Sequence, residues 1–147
     1  MNRRDVEWPE PPCSVVPGND SVPQSVLETL RREIAAGQQR ETRTMNGQER
    51  HAIERLLKIA RRDTGQSRRV ADFLLAWYNA SENGGWDPTD LWAVDAGIAD
   101  DMMTVLGLVH TGPIGKYPND WGFRTEIEAV WNRWRKPADA EEGDHAR

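Results

Sequence analysis

The residue best placed for chemistry is Asp95, inside the run "DLWAVDAGIADDMMTVLGLV" from Asp90 to Val109. Wound as a helix, that run sets the carboxylate among Leu91, Ile98, Met102 and Leu106, in the middle of an apolar stripe. Burial raises the pKa of a carboxyl group and suits it to acid–base work. Catalysis also needs a nucleophile, a second acid or a cofactor within reach, and no residue spacing in the chain supplies one. A structural role is therefore expected for Asp95. It would accept a hydrogen bond from the indole of Trp77, Trp92 or Trp131, or pair with Arg124 from a facing helix.

The remaining reactive types are scattered. His51 and Glu54 stand three apart and could supply two metal ligands, but no second pair completes a site, and His110 and His145 lie far along the chain. No phosphate-binding glycine loop, dinucleotide fingerprint, CxxC, HExxH, EF-hand loop or GxSxG is present. The expectation is a non-enzyme with no metal and no cofactor. Two kinds of recognition surface remain. Trp86, in a Gly-rich turn, and Trp121, beside a loop, could anchor a protein partner, with Asp87, Asp90, Asp100 and Asp101 as an accompanying acidic surface. Equally, both tryptophans could simply close the ends of the fold. The alternative surface is basic: Arg55, Lys58, Arg61, Arg62, Arg68 and Arg69 could meet phosphates.

The elements that must position these residues are all helical. Val22, Val26, Leu27, Leu30 and Ile34 recur at helical spacing, with Gly37 as a C-cap and a polar linker from Gln38 to Thr44. The cleanest amphipathic pattern runs from Gly47 to Arg62, with Ala52, Ile53, Leu56, Leu57, Ile59 and Ala60 on one side. "DTGQ" breaks it, Gly65 suiting a left-handed cap and Ser67 the next N-cap, and a third helix with an aromatic stripe spans Arg68 to Ala80. "WDPTD" starts a fourth helix, with Asp87 as N-cap, Pro88 in the first turn and Asp90 at the positive end of the dipole. One continuous helix to about His110 is the simplest reading; the alternative is a break at "DAG", with Asp95 capping a shorter helix. After the loop "HTGPIGKYPND", a last helix spans Asp120 to Arg135. The second helix, the tight "DTGQS" turn and the third helix look superficially like a helix-turn-helix, but Ala71 to Tyr78 is too apolar to lie in a groove.

No alternating strand pattern appears, so the predicted fold is all-α: a small irregular bundle of about four core helices plus a peripheral N-terminal one. Residues 1–21 read as a leader without fixed structure, 22–44 as the peripheral helix and linker, 45–136 as the core, and 137–147 as an acidic tail. The net charge of −5 conceals segregation. Met45–Arg69 carries Arg50, Arg55, Lys58, Arg61, Arg62, Arg68 and Arg69 against Glu49, Glu54 and Asp63, whereas Val70–His110 holds seven acids and no Lys or Arg. Mutual neutralisation within the fold is one explanation and a functional surface the other. The single Cys13, set among prolines, permits no internal disulfide and fits a reducing, cytoplasmic setting. The N-terminus lacks the apolar segment of a signal peptide, and no run is long enough to span a membrane.

The segment "RLLKIARRDTGQSRRVADFLLAWYNASENGGWDPTDLWAVDAGIADDMMTVLGLV" resembles an uncharacterised family of small helical proteins from proteobacterial plasmids, integrative elements and phages. The resemblance rests on "DTGQS", "ADFLLAWYNA", "DLWAVD" and "IADDMMTV", covers residues 45–136, and brings no activity with it. It implies a bacterial mobile-element setting. The expected function is accordingly a mobile-element accessory that acts by protein–protein contact, for example on a host protein. An inhibitor of host defence that imitates nucleic acid with its acids is a more specific version. A nucleic-acid-binding accessory using the helix at 47–62 is the alternative.

Overall fold

Helical periodicity dominates the outcome: the computed structural model describes residues 22–137 and contains five α-helices, two 3₁₀ turns and, among the described residues, no strand. The chain divides into two units, residues 1–34 and 35–147. Of the first, the described part is mostly the N-terminal portion of α1 (Gln24–Thr42); Val22, just before the helix, and Val26, Leu30 and Ile34 within it are exposed. The leader and most of the tail lie outside the described residues.

The second unit is the bundle. It consists of the end of α1, α2 (Gly47–Ala60), α3 (Gly65–Asn83), α4 (Ala96–Thr111) and α5 (Arg124–Trp134), with 3₁₀ turns at Pro88–Ala93 and Pro118–Trp121. Ile53, Leu56, Val70, Leu74, Leu75, Met102, Val105, Leu108, Ile127 and Val130 are fully or almost fully buried, so each of α2 to α5 contributes one apolar face to a single core. The all-α bundle read from the sequence is therefore the observed fold.

The helix ends depart from the sequence reading where local hydrogen bonding decides. No linker separates α1 from the bundle at Gln38; the helix runs through Gly37 to Thr42. Arg40 gives the extension a purpose, since its guanidinium donates from Nε to Gly112 O and from Nη2 to Val109 O, placing a cation on the last carbonyls of α4. α2 begins with a capping box in which Asn46 Oδ1 accepts from Glu49 N and Glu49 Oε2 accepts from Asn46 N, both at 2.9 Å. The buried Glu49 also pairs with Arg43. Thr64, not Ser67, caps α3: its backbone is extended and its Oγ1 accepts from Ser67 N. Ser67 is buried one turn in, 2.7 Å from the same hydroxyl, and Gly65 is helical rather than left-handed.

The largest correction falls between Asp87 and Thr111. "WDPTD" does start a helix at the Asp87 cap, but a 3₁₀ turn that ends at Ala93; Val94 and Asp95 are extended and α4 begins afresh at Ala96. The continuous helix is thus excluded and the break at "DAG" is observed. Leu91, Val94, Ile98 and Met102 misled because both pieces turn their apolar residues toward the same core, leaving the spacing unbroken across the break. The last helix likewise starts at Arg124, after a 3₁₀ turn closed by Gly122 at φ +92°. α3 is bent at Asn79 (φ −164°, ψ 91°), whose Oδ1 accepts from Ser81 Oγ and Glu82 N and so restarts the final turn.

The far end of α5 locks the bundle. Trp134 Nε1 donates to Ala60 O at 2.7 Å, Arg133 Nε to Arg62 O, and Arg135 Nε to Asn83 O, supplying donors to carbonyls at the C-termini of α2 and α3. Arg135 also pairs with Asp72 on α3. No helix among the described residues is long and apolar enough to cross a membrane.

Candidate functional site: the cleft between α2 and α4

Asp95, the acid expected to be buried, is exposed. As the residue before α4 it occupies the N-cap position, yet its carboxylate makes no capping hydrogen bond, and its backbone N–H donates to Gln66 Oε1 at 2.7 Å. None of Trp77, Trp92, Trp131 or Arg124 bonds to it. The break at Val94 explains why: once α4 starts at Ala96, the inward positions are Ile98, Asp101, Met102, Val105 and Leu108, and Asp95 lies before the first turn.

The buried acid of this segment is Asp101, one of the four acids that the sequence offers for an acidic surface. It is 9% exposed and receives a two-pronged bond from Arg55 on α2, Nε to Oδ2 at 2.8 Å and Nη2 to Oδ1 at 2.6 Å. The planar guanidinium matches the carboxylate edge to edge, and this bond raises the pKa of Arg55 above its ordinary value. The pair ties the two charge-segregated segments of the sequence together across α2 and α4, so part of the segregation is internal neutralisation.

Above this pair lies an open cleft of about 620 Å³. Lys58, Ile59 and Arg62 form its α2 wall with Arg55; Asp95, Gly97, Ile98 and Asp100 form its α4 wall with Asp101. Part of each surface read from the sequence, Arg55, Lys58 and Arg62 of the basic one and Asp100 and Asp101 of the acidic one, therefore lines the same cleft. Among the described residues the side chains of Lys58, Arg62, Asp95 and Asp100 make no ion pair or hydrogen bond.

The other acidic candidates are engaged. Asp87 Oδ1 accepts from Thr89 N at 2.9 Å and Thr89 Oγ1 at 2.8 Å, bonds that hold its carboxyl below the ordinary range. Asp90 pairs with Arg69 at 3.2 Å. Of the six basic candidates, Arg55 and Arg69 are consumed by these pairs, while Lys58, Arg61, Arg62 and Arg68 stay exposed without a partner among the described residues. His51 reaches Glu54 at 3.2 Å, and no group of three or more His, Cys, Asp or Glu among the described residues is placed to hold a metal ion.

Trp86 and Trp121 both pack against the core. Trp86 is half-buried, edge-on to Phe73 with centroids 5.0 Å apart, and its Nε1 is buried without a partner in the described residues. Trp121 is half-buried beneath the ammonium of Lys116, 4.5 Å from the ring centroid. Among the described residues the most exposed indole is Trp92, 87% accessible on the first 3₁₀ turn. The one sequence signal for it was its place next to Leu91: once Leu91 turns inward, its neighbour must turn out.

Among curated proteins and among solved structures nothing matches the chain. The model of a family of unknown function does match, over residues 50–135, a span that includes α2 to α5 almost whole, the cleft and Trp92. With more than half of its 147 residues covered by that match, the chain belongs to the family of unknown function DUF7673.

Proposed function

We propose that this protein is a non-enzymatic, cytoplasmic accessory of bacterial mobile elements that acts by gripping another protein through the surface around Trp92. The observation that carries the reading is the exposure of that indole, 87%, on a backbone that is held fast. Asp87 caps the 3₁₀ turn, Arg69 pairs with Asp90 within it, and Gln66 binds the backbone just after it. A tryptophan on a pinned turn loses little conformational freedom on binding, and covering its ring offers on the order of 3–5 kcal/mol. Such residues dominate protein interfaces. The non-enzymatic part draws on the cleft lining, which sets Arg and Lys against Asp and holds no nucleophile beside a base. The mobile-element setting draws on the resemblance of residues 45–136.

Affinity purification of the tagged chain from its own cells, with nuclease, tests this. A stoichiometric protein recovered by the wild type and lost by Trp92→Ala is the expected result. Retention of that protein by Trp92→Ala would rule the reading out. The unpaired cations Lys58, Arg61, Arg62 and Arg68 favour a second reading, nucleic-acid binding. Loss of all partners on nuclease treatment, together with loss of nucleic acid on charge reversal at Arg61 and Arg62, would favour it instead.

A further inference from the structure

We propose that the α2–α4 cleft is the interface of a two-fold homodimer, in which the basic wall of each copy meets the acidic wall of the other. The argument begins with charge. Once Arg55 and Asp101 have neutralised each other, the cleft keeps two unpaired cations, Lys58 and Arg62, and two unpaired anions, Asp95 and Asp100. The balance is zero, so a polyanion or a polycation gains as much repulsion as attraction there. A surface of the opposite polarity on each side is required, and a second copy of this chain presents one.

Symmetry then fixes the arrangement. Gln48 and His51 lie by Thr104 while Arg55 bonds Asp101, so α2 and α4 run antiparallel; counted outward from that bond, Lys58 falls within about two residues of the level of Asp100, and Arg62, just past α2, falls within about one of Asp95, just before α4. A two-fold axis lying along the cleft exchanges the two walls while preserving level. Arg62 of one copy then faces Asp95 of the second, Lys58 faces Asp100 of the second, and the relation repeats reciprocally to give four ion pairs. Such an isologous contact is self-complementary and closed. Ile59 and Ile98 in the cleft floor supply the apolar contact between the charged rows.

Magnitude sets the strength. The cleft runs from Arg55 to Arg62 on one wall and from Asp95 to Asp101 on the other, so at about 1.5 Å per residue and about 10 Å per helix width it presents roughly 200 Å² per copy. That is about a quarter of a standard interface, which places the dimer in the weak, transient class with marked sensitivity to salt. Trp92 does not line the cleft, so its surface stays free for another partner.

The test is sedimentation of the nuclease-treated full chain at low salt, from about 1 to 500 µM. The wild-type mass should rise from that of one 16.7 kDa chain toward twice that value. The all-acidic variant Lys58→Glu/Arg62→Glu and the all-basic variant Asp95→Lys/Asp100→Lys should each associate at least about tenfold more weakly. Mixed together, they should form a one-to-one dimer. None of the four side chains has an intramolecular partner among the described residues, so the variants should keep the fold, as helical circular dichroism will report. Should either variant unfold, Lys58→Gln/Arg62→Gln and Asp95→Asn/Asp100→Asn provide the same comparison. A wild type that stays at one chain mass throughout, growth beyond two chains, or variants that dimerise as well as the wild type would each overturn the proposal.

Discussion

At the scale of single residues, the pairing of Arg55 with Asp101 is asymmetric, and the asymmetry can be measured. The side chain of Asp101 is 12% exposed, whereas that of Arg55 is 57% exposed. Removing Asp101 leaves a cation that water can solvate. Removing Arg55 leaves a mostly buried carboxylate without its partner, which costs up to about 1–3 kcal/mol, less whatever water entering from the cleft returns. Arg55→Ala should therefore lower stability to urea more than Asp101→Asn, and adding Asp101→Asn to Arg55→Ala should restore part of the loss. Equal effects of the two single substitutions would show that Asp101 is better solvated than its burial indicates. This pair also marks the limit of what could be read from the sequence. Which acids fall on the apolar side depends on where the helix starts, and counting from Leu91 gave Asp95 the inward place that the break at Val94 transfers to Asp101. The exposed Trp92 was hidden for the same reason.

At the scale of elements, what holds the helices in register is the set of donors that α5 delivers to other helix ends. Trp134 is the clearest, because its ring packs against the core while its N–H caps Ala60 O. Trp134→Phe keeps most of the ring and deletes the donor, so it should cost about 1 kcal/mol in thermal or urea unfolding. Trp131→Phe is the control: that indole is 37% exposed and makes no hydrogen bond among the described residues, so its change should stay within about 0.5 kcal/mol. Similar losses from both would deny the capping role. The helices themselves were legible, since α2, α3 and α5 follow from apolar spacing and the Asp87 cap from "WDP". Their ends were less so. "DTGQS" contains three side chains able to cap, Asp63, Thr64 and Ser67, and only the extended backbone at Thr64 shows which one does; Gly37 has the look of a stop but sits in a helix that Arg40 needs intact.

At the scale of the whole chain, the question is where the folding unit begins. Apolar patterning set the start of the core near Met45, and the family match starts at residue 50. The contacts argue for an earlier start. Arg40 supplies donors to Gly112 and Val109, the carbonyls that close α4, and Arg43 partners the buried carboxylate of Glu49. Neither arginine belongs to an apolar stripe, so hydrophobic periodicity carries no record of them, and the compact unit that contains both begins at Ala35. Two fragments separate the alternatives, residues 35–147 and residues 45–147. Both keep the buried core and the α5 locks. The shorter one leaves the end of α4 without its cation and Glu49 with only the Asn46 N–H of its own capping box. Losing those interactions should amount to about 1–2 kcal/mol, which for a chain of this length lowers Tm by roughly 5–10 °C. Circular dichroism melts of the two fragments at equal concentration read the difference directly. If they melt together, the arginine contacts add nothing to the bundle and the boundary drawn from hydrophobic pattern stands; if the shorter fragment melts first, polar side chains on the last turns of α1 are part of what makes the bundle fold.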